Sequence, residues 1–514
     1  MDTGPDARAS LYGTRQAVVT GHHLATQQAW RVLDEGGSVV DAMIAASAVL
    51  AVALPHATSL GGCGMALIRD GASGRTMALD GSGRAPRAAT PERFATQIDA
   101  RGPRSWLVPG LVALWQAAHA RFGRRPWHGL FDAAIALARD GVPCASELAR
   151  NLRLCAPSLA AQPGFAALFH DASGQPLRAG MVMRQPALAD TLEDVARQGW
   201  EGFYAGRAAR ALVEFSSATG GLLEAGDLAT AQADWAEPVH GEFGQGWSAI
   251  VMPPNSVGVL MLAQLADLVE LVDLVDLAGQ GDTPAADPAD WQVRQILAAR
   301  RQLMALQDEV ANPARRWPVP VCANREGEDP GDTAGIVIVD HAGNAVSMLQ
   351  SVFQPFGSGC VDPGSGMLLN NRLSEFSLEP AAHNRLAPGR RPVHTLNPYL
   401  VFRDGRLALA AASPGGISQT TTGVQLVCNA CLRDLPLSAA IDAPRWSLTR
   451  DGGFLAEPGV PAMLAGRLRA HGIALQADTP HPFYYGSVKA IRCGPDGVLE
   501  AAADLRRQAT AMAG

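Results

Sequence analysis

Thr333 stands where a polar, turn-rich segment meets an apolar, β-branched one. Residues 324–332 read Asn-Arg-Glu-Gly-Glu-Asp-Pro-Gly-Asp, and residues 333–340 read Thr-Ala-Gly-Ile-Val-Ile-Val-Asp. The second segment predicts a buried strand, and the glycine-containing turn at 341–344 predicts a hairpin to another strand over residues 345–353. A cut before Thr333 would give one residue both a hydroxyl nucleophile and an α-amine base. By local pattern alone, a capping or filling role is the commoner one for such a threonine.

The segments that follow Thr333 resemble those of a known family. Residues 331–347 are similar to the start of the small subunit of the γ-glutamyltransferase (γ-glutamyltranspeptidase) family. Further similar segments occur in the same order: Phe356-Gly-Ser-Gly359, Leu368-Leu-Asn-Asn371, Arg391-Pro-Val-His-Thr-Leu-Asn-Pro398, Ser413-Pro-Gly-Gly416 and Ala443-Pro-Arg-Trp446.

The N-terminal part is similar to the large subunit of the same family. The similar segments are His23-Leu-Ala-Thr26, Gly36-Gly-Ser-Val-Val-Asp41, Pro55-His-Ala-Thr-Ser-Leu-Gly-Gly62, Val108-Pro-Gly110, Phe122-Gly-Arg-Arg-Pro-Trp127 and Pro253-Pro-Asn-Ser256. The resemblance thus covers nearly the whole chain. It implies an α+β fold, a four-layer αββα sandwich of the N-terminal nucleophile hydrolase type. It also implies a large subunit, 1–332, and a small subunit, 333–514, which share one body and remain together as a heterodimer that could dimerise further.

The resemblance also assigns catalytic roles. Thr333 takes the place of the nucleophile, which first attacks the carbonyl of Asp332 and, once freed, attacks the substrate amide. Ser351 takes the place of a threonine that hydrogen-bonds the nucleophile, and Gly415 and Gly416 take the place of the backbone donors to the oxyanion. Outside this family, Ser351 would be an ordinary strand serine and the glycines a turn after a strand over residues 407–412.

The substrate-binding motifs depart from the family pattern. Where the family has an arginine for the glutamyl carboxylate, this chain has Ser82, with Arg84 two residues further on. Other positions that differ are Ala334 after the nucleophile, Phe353 for an asparagine, Glu375 for an aspartate, and His394-Thr395 for a pair of serines. The residues expected to bind substrate are therefore Arg84, Glu375, His394 and Thr395, with a loop-capping role open for His394 and a surface role open for Glu375.

The function implied is that of a self-processing amidohydrolase or acyltransferase without a cofactor or metal. Its substrate would be a γ-glutamyl or related small acyl amide. The segments 350–359 and 394–398 look more like the transferase-like branch, which includes oxamate amidohydrolase and acylases. An oxamate-type or other acyl-amide hydrolase without γ-glutamyl activity is therefore an alternative, and an uncleaved, non-catalytic binding protein is another.

Composition and charge limit the kind of protein and the partners that can be expected. Of the 514 residues, 47% are hydrophobic and 18% charged, which suits a large core. The net charge of −7 and the lack of a basic block argue against nucleic acid as a partner. No apolar run reaches the roughly 18 residues of a membrane span. The N-terminus has no apolar signal core, and the 8 cysteines are scattered, so we expect a cytoplasmic protein.

Hydrophobic periodicity predicts the coarse organisation. We expect helices over residues 24–54 with a break at Gly36-Gly37, strands and a turn over 58–80, and mainly helices over 110–213. The acidic repeat 262–276 predicts an amphipathic helix with a solvated acidic face. Residues 279–288 are expected to form a surface loop, and residues 324–332 the loop that is cut. Lys489 is the only lysine, and we attribute this scarcity of lysine to genome composition rather than to function.

Overall fold

The computed structural model describes residues 9–278, 288–306, 310, 332–448, 452–460, 462–473 and 485–514. Most of the expected cleavage loop, residues 324–331, lies outside the described residues, as do residues 279–287 of the expected surface loop.

Among the described residues, the strands form two large sheets and two sheets of two short strands each. They are β1 Leu11–Gly13, β2 Gln16–Thr20, β3 Cys63–Arg69, β4 Thr76–Gly81, β5 Val142–Pro143, β6 Val182–Met183, β7 Asp234–Ala236, β8 Val239–Glu242, β9 Trp247–Val251, β10 Asp332–Asp340, β11 Ala345–Phe353, β12 Tyr399–Arg403, β13 Arg406–Ala412, β14 Trp446–Leu448, β15 Phe454–Ala456, β16 Lys489–Cys493, β17 Leu499–Ala503 and β18 Thr510–Ala513. Within the described residues, sheet I has the order β1-β17-β16-β13-β12-β9-β8 and sheet II the order β18-β2-β10-β11-β3-β4-β7. The expected strands at 58–80, 333–353 and 407–412 are confirmed.

Each region predicted to be helical contains helices, and further helices lie outside those regions. They are α1 His23–Asp34, α2 Val39–Ala53, α3 Leu111–Phe122, α4 Asp132–Asp140, α5 Ser146–Leu159, α6 Phe165–Phe169, α7 Pro186–Tyr204, α8 Arg207–Thr219, α9 Ala225–Leu228, α10 Gly258–Ala278, α11 Pro288–Leu306, α12 Ser418–Val427, α13 Leu437–Asp442 and α14 Ala462–Ala470. The acidic repeat lies in α10, where Asp267 is partly exposed and pairs with Arg301 at 2.8 Å. No helix of the described residues combines the length and the apolar character that crossing a membrane requires.

Three apolar clusters define the layers. One lies between the sheets and combines Val337 and Val339 of sheet II with Ala410 and Ile491 of sheet I. A second packs the outer side of sheet II against helices that include α1 and α2. The third packs the outer side of sheet I against helices that include α10 and α12. Alternate residues of each strand therefore face opposite layers, and the predicted αββα sandwich is confirmed.

Both sheets combine strands from the two sides of residue 333. Sheet I takes β1, β8 and β9 from the N-terminal part and its other strands from the C-terminal part. In sheet II, β10 lies between β2 and β11, so the strand that starts beside Thr333 has neighbours from both parts. Each part alone would leave unpaired strand edges and an uncovered apolar face.

A capped helix lies behind β10 and β11. The break between α1 and α2 includes Gly36, whose φ is 84°, and a capping box in which Ser38 and Asp41 bond each other's backbone N–H groups. Further along α2, Ser47 bonds the side chain of Gln350 on β11 and accepts a bond from Trp115 Nε1 at 2.7 Å. These buried contacts fix the hairpin that presents Thr333.

Candidate active site

Thr333 lies near the start of β10 and is buried, with 4% of its surface exposed. The register of the β10–β11 hairpin shifts between Asp332 and Ala334, whose partners on β11 are Phe353 and Gln350. Thr333 therefore lies opposite the stretch 351–352, at a local irregularity of the ladder. Bulges of this kind change the direction of a side chain next to a site.

The face of β10 that carries Thr333 is turned towards sheet I. Val337 and Val339 belong to the cluster between the sheets. A Cβ on Gly335 would lie 3.3 Å from Cδ of Lys489 and 3.6 Å from Cβ of Ala412. Because side chains alternate along a strand, Thr333 ends this row, beside the ends of β13 and β16.

Gly415 and Gly416 follow the end of β13 on the opposite sheet. Their φ values are 145° and 58°, which L-residues with a side chain rarely adopt. Within the described part of the chain, neither backbone N–H donates a hydrogen bond to a backbone carbonyl of a turn or loop. Two adjacent N–H groups on such a turn suit a developing oxyanion. The fold thus brings the two predicted donors to the end of the sandwich where Thr333 lies.

Ser351 lies within β11 and is fully buried. Its Oγ accepts a hydrogen bond from the N–H of Phe353 at 2.8 Å, and Phe353 has a φ of 86°. A non-glycine residue in this region is strained, and such strain is frequent at functional sites. The hydroxyl of Ser351 therefore supports the strained end of β11 opposite the start of β10.

His394 is buried in this same region. Its Nδ1 accepts from the N–H of Leu396 at 3.2 Å, and its Nε2 lies 3.2 Å from Sγ of Cys63. Burial, together with the charges of Arg372 and Arg391, holds the pKa of His394 well below its ordinary value. The ring is therefore neutral with the proton on Nε2, and His394 is a donor to Cys63 rather than a cationic contact for an anion.

A buried arginine that the sequence analysis did not single out lies beside these residues. Arg372, with 1% of its surface exposed, follows Asn370-Asn371 in a short 3₁₀ helix. Its Nη1 donates to Oγ1 of Thr395 at 3.3 Å, and its guanidinium carbon lies 3.9 Å from the ring centroid of Phe353. Since Phe353 pairs with Asp332, the guanidinium is close to the start of β10. The signal that could have identified it is its position directly after the family-like segment Leu368-Leu-Asn-Asn371.

The other predicted substrate-binding residues lie farther out. Arg84 donates to Asp234 at 2.7 Å and is 40% exposed, so its charge is already engaged at the surface. Ser82 is buried, and its Oγ accepts from Asn255 at 3.4 Å. Glu375 closes the 3₁₀ helix of Arg372 and is half-buried. Of the four residues predicted, His394 and Thr395 lie in the group around Arg372, whereas the guanidinium of Arg84 is paired with Asp234.

An αββα sandwich with a hydroxyl residue buried where a strand of one sheet begins is the arrangement found in N-terminal nucleophile hydrolases. The family model described as gamma-glutamyltranspeptidase matches residues 25–293 and 285–514. The chain therefore belongs to the γ-glutamyltranspeptidase family and is a hydrolytic enzyme.

Curated relatives extend over almost the full length. The chain is 35% identical to the oxamate amidohydrolase proenzyme of Klebsiella pneumoniae, over 98% of this chain and 99% of that protein. It is 31% identical to an acylase ACY 1 proenzyme of a Pseudomonas species, over 98% of this chain and 94% of that protein. Among solved structures, the cephalosporin acylase from Bacillus halodurans superposes with a TM-score of 0.86 at 27% identity, covering 100% of this chain and 99% of that one. The predicted family, fold and enzyme class are confirmed.

Proposed function

We propose that the chain cuts itself between Asp332 and Thr333, and that the two fragments, 1–332 and 333–514, remain associated as a heterodimer. In this proposal Thr333 is the nucleophile of a small acyl-amide hydrolase. The observation that carries it is the burial of Thr333 at an irregular strand start, at the same end of the sandwich as the Gly415-Gly416 turn. The proenzyme names of the relatives support the self-processing step. A cytoplasmic location stays a prediction from the cysteine pattern.

The proposed reaction has two steps. The α-amine of the freed Thr333 has an ordinary pKa of about 8, so part of it is unprotonated at neutral pH. It removes the hydroxyl proton while Oγ bonds to the amide carbon, and the N–H groups of Gly415 and Gly416 hold the oxyanion. The carbon–nitrogen bond then breaks, and the amine gives its proton to the leaving nitrogen. Water, or an acceptor amine, attacks the resulting ester and releases Thr333.

For the substrate, we propose an acyl amide whose acyl group carries a carboxylate that Arg372 binds. A buried guanidinium, oriented by Thr395 and by the ring of Phe353, favours a planar anion. Both γ-glutamyl amides and oxamate have such a group. The absence of an arginine at position 82, and the engagement of Arg84 by Asp234, favour the oxamate-type acyl group over the γ-glutamyl group. The 35% identity to an oxamate amidohydrolase proenzyme is in line with this.

The nucleophile is tested by intact mass and denaturing gels of the purified protein and of Thr333→Ala. We expect two fragments joining at residues 332 and 333 in the wild type and one chain in the variant. The control is Thr76→Ala, because Thr76 is also a mostly buried threonine at the start of a strand, β4. Cleavage should continue in this control. A wild-type chain that stays uncut and inactive would support the non-catalytic binding protein instead.

The substrate class is tested with two pairs of amides, each with one member that carries a carboxylate and one that does not. The first pair is oxamate and its ethyl ester, and the second is γ-glutamyl-p-nitroanilide and butyryl-p-nitroanilide. We expect the wild type to prefer the charged member of each pair, and oxamate to have the higher kcat/KM of the charged two. Arg372→Met should lower kcat/KM for oxamate about 100-fold and leave the neutral amides nearly unchanged. Equal losses for charged and neutral amides would contradict a carboxylate site at Arg372.

A further inference from the structure

Lys489, the only lysine of the chain, is buried where the two sheets meet the proposed site. It begins β16 and pairs with Ala412, the last residue of β13. Its side chain passes Gly335 on β10, two residues after Thr333, because a Cβ there would lie 3.3 Å from Cδ of Lys489. The lysine thus contacts the nucleophile's strand and borders the strand that leads to Gly415.

The ammonium group binds the turn that supports the glycines. Nζ donates to both the carbonyl and the hydroxyl of Ser487, each at 2.8 Å. The N–H of Ser487 in turn donates to the carbonyl of Pro414 at 3.2 Å. A Cβ on Gly415 would lie 2.9 Å from Cα of Gly486, so these two turns are in close backbone contact. Only two hydrogen bonds separate the ammonium from the turn that carries the proposed oxyanion donors.

A buried ammonium is costly unless the protein supplies compensating groups. Glu147, on α5, supplies negative charge nearby. Burial would raise the pKa of Glu147, but its contact with His56, at 3.7 Å, and the charges of Arg507 and Lys489 lower it. The desolvation of the ammonium is thus offset in part by Glu147 and by the two hydrogen bonds to Ser487, the residue that bonds Pro414 next to the glycines.

We propose that Lys489 is a positioning residue for the oxyanion donors, an inference that rests on the proposed function. It holds Ser487, and through Ser487 and Pro414 it fixes the direction of the N–H groups of Gly415 and Gly416. Its charge also favours the negative oxygen that forms when Thr333 attacks. Because both effects act in the transition state, the loss of Lys489 lowers kcat and leaves KM nearly unchanged.

The test compares cleaved wild-type enzyme with Lys489→Met, Lys489→Arg and Ser487→Ala, each normalised to its cleaved fraction by mass. We expect kcat to fall about 10- to 100-fold in Lys489→Met with KM within about threefold, and Lys489→Arg to recover much of the loss. Ser487→Ala, which keeps the carbonyl acceptor, should lose kcat about threefold to tenfold. The matched control is Arg492→Met, because Arg492 lies on the same strand with its side chain on the other face, paired with Glu500 at 2.6 Å.

Wild-type kcat in Lys489→Met, or a loss no larger than that of Arg492→Met, would overturn the inference. A change confined to KM would do the same. If Lys489→Met does not accumulate as a cleaved enzyme, Lys489→Arg and Ser487→Ala provide the test instead. The inference is then overturned if kcat is unchanged in Ser487→Ala and cleaved enzyme is not recovered in Lys489→Arg. These outcomes differ from failure of the proposed function, in which the wild type itself is uncut or inactive.

Discussion

Gly415 has two separate reasons to be glycine. Its φ of 145° is a conformation that L side chains rarely adopt, and an added Cβ would lie 2.6 Å from Oγ of Ser418 and 2.9 Å from Cα of Gly486. An alanine would therefore move the turn and misdirect its N–H group. We expect Gly415→Ala to lower kcat at least 100-fold, since one misplaced oxyanion donor is worth about 3 kcal/mol. Steady-state kinetics on the cleaved enzyme measures this loss.

A control separates the loss of the donor from backbone strain alone. Gly497 has a φ of 84° in the exposed turn between β16 and β17, and a Cβ there would meet no atom within 4 Å. Gly497→Ala should cost some stability but keep the wild-type kcat. If both variants lost kcat equally, the turn at Gly415 would not be the oxyanion site.

His22 shows how a single helix cap makes the fold sensitive to acid. It precedes α1, and its Nδ1 accepts from the N–H of Leu24 at 3.3 Å, which requires the unprotonated ring. Burial, followed by the neighbouring His23, lowers the pKa of His22 from 6.5 to about 4. The unfolded chain takes up this proton below pH 6.5, whereas the folded chain takes it up only near pH 4. The stabilising effect of the neutral ring is complete above pH 6.5 and is lost as the pH falls towards 4.

We therefore predict that His22→Asn flattens the acid side of the stability curve. Asparagine keeps a capping oxygen but does not titrate. Between pH 7 and pH 4 the parent should lose about 3 kcal/mol more unfolding free energy than His22→Asn. Urea unfolding at both pH values measures this, in the uncut Thr333→Ala background, so that a single chain unfolds. The exposed His128 supplies the control His128→Asn, which should retain the parent's pH dependence, and equal slopes for all three proteins would contradict the role of the His22 cap.

At the scale of the whole molecule, the sheets predict how the cleaved protein behaves. Because β10 lies between β2 and β11, and because sheet I also combines both parts, separating the fragments would expose the apolar layer between the sheets. We expect fragments 1–332 and 333–514 to co-elute in size-exclusion chromatography and to unfold together in urea. Thr333→Ala, with the same contacts and one covalent chain, is the reference for the unfolding midpoint. Release of either fragment before global unfolding would contradict the shared core.

Local patterns in the sequence were enough for the elements. The β-branched run at 333–340 and the turn after it predicted a hairpin, and the structure has β10 and β11 there. The glycines at 36–37 predicted the break between α1 and α2. Such predictions succeed because strand alternation, helical periodicity and the conformational freedom of glycine depend on neighbouring residues.

The residues that bind the substrate were harder to predict from the sequence. Arg84 is near the matched position in sequence, yet it pairs with Asp234 from β7, a distant segment. Arg372 was not identified, because its importance arises from Phe353 and Thr395, which approach it only in the folded chain. Whether a charged side chain faces a site or a surface partner depends on these distant groups and not on its own neighbours.

The sequence by itself determined the family, the αββα class and the position of Thr333 at the start of a strand, because these follow from local patterns and from motifs in a fixed order. Only the tertiary structure decided that Gly415-Gly416, Arg372 and Lys489 share one end of the sandwich with Thr333. The physical reason is that two sheets pack face to face and bring together strand ends far apart along the chain. From the sequence, Lys489 had no role beyond composition. The structure places it as a buried cation between the proposed nucleophile's strand and the glycine turn.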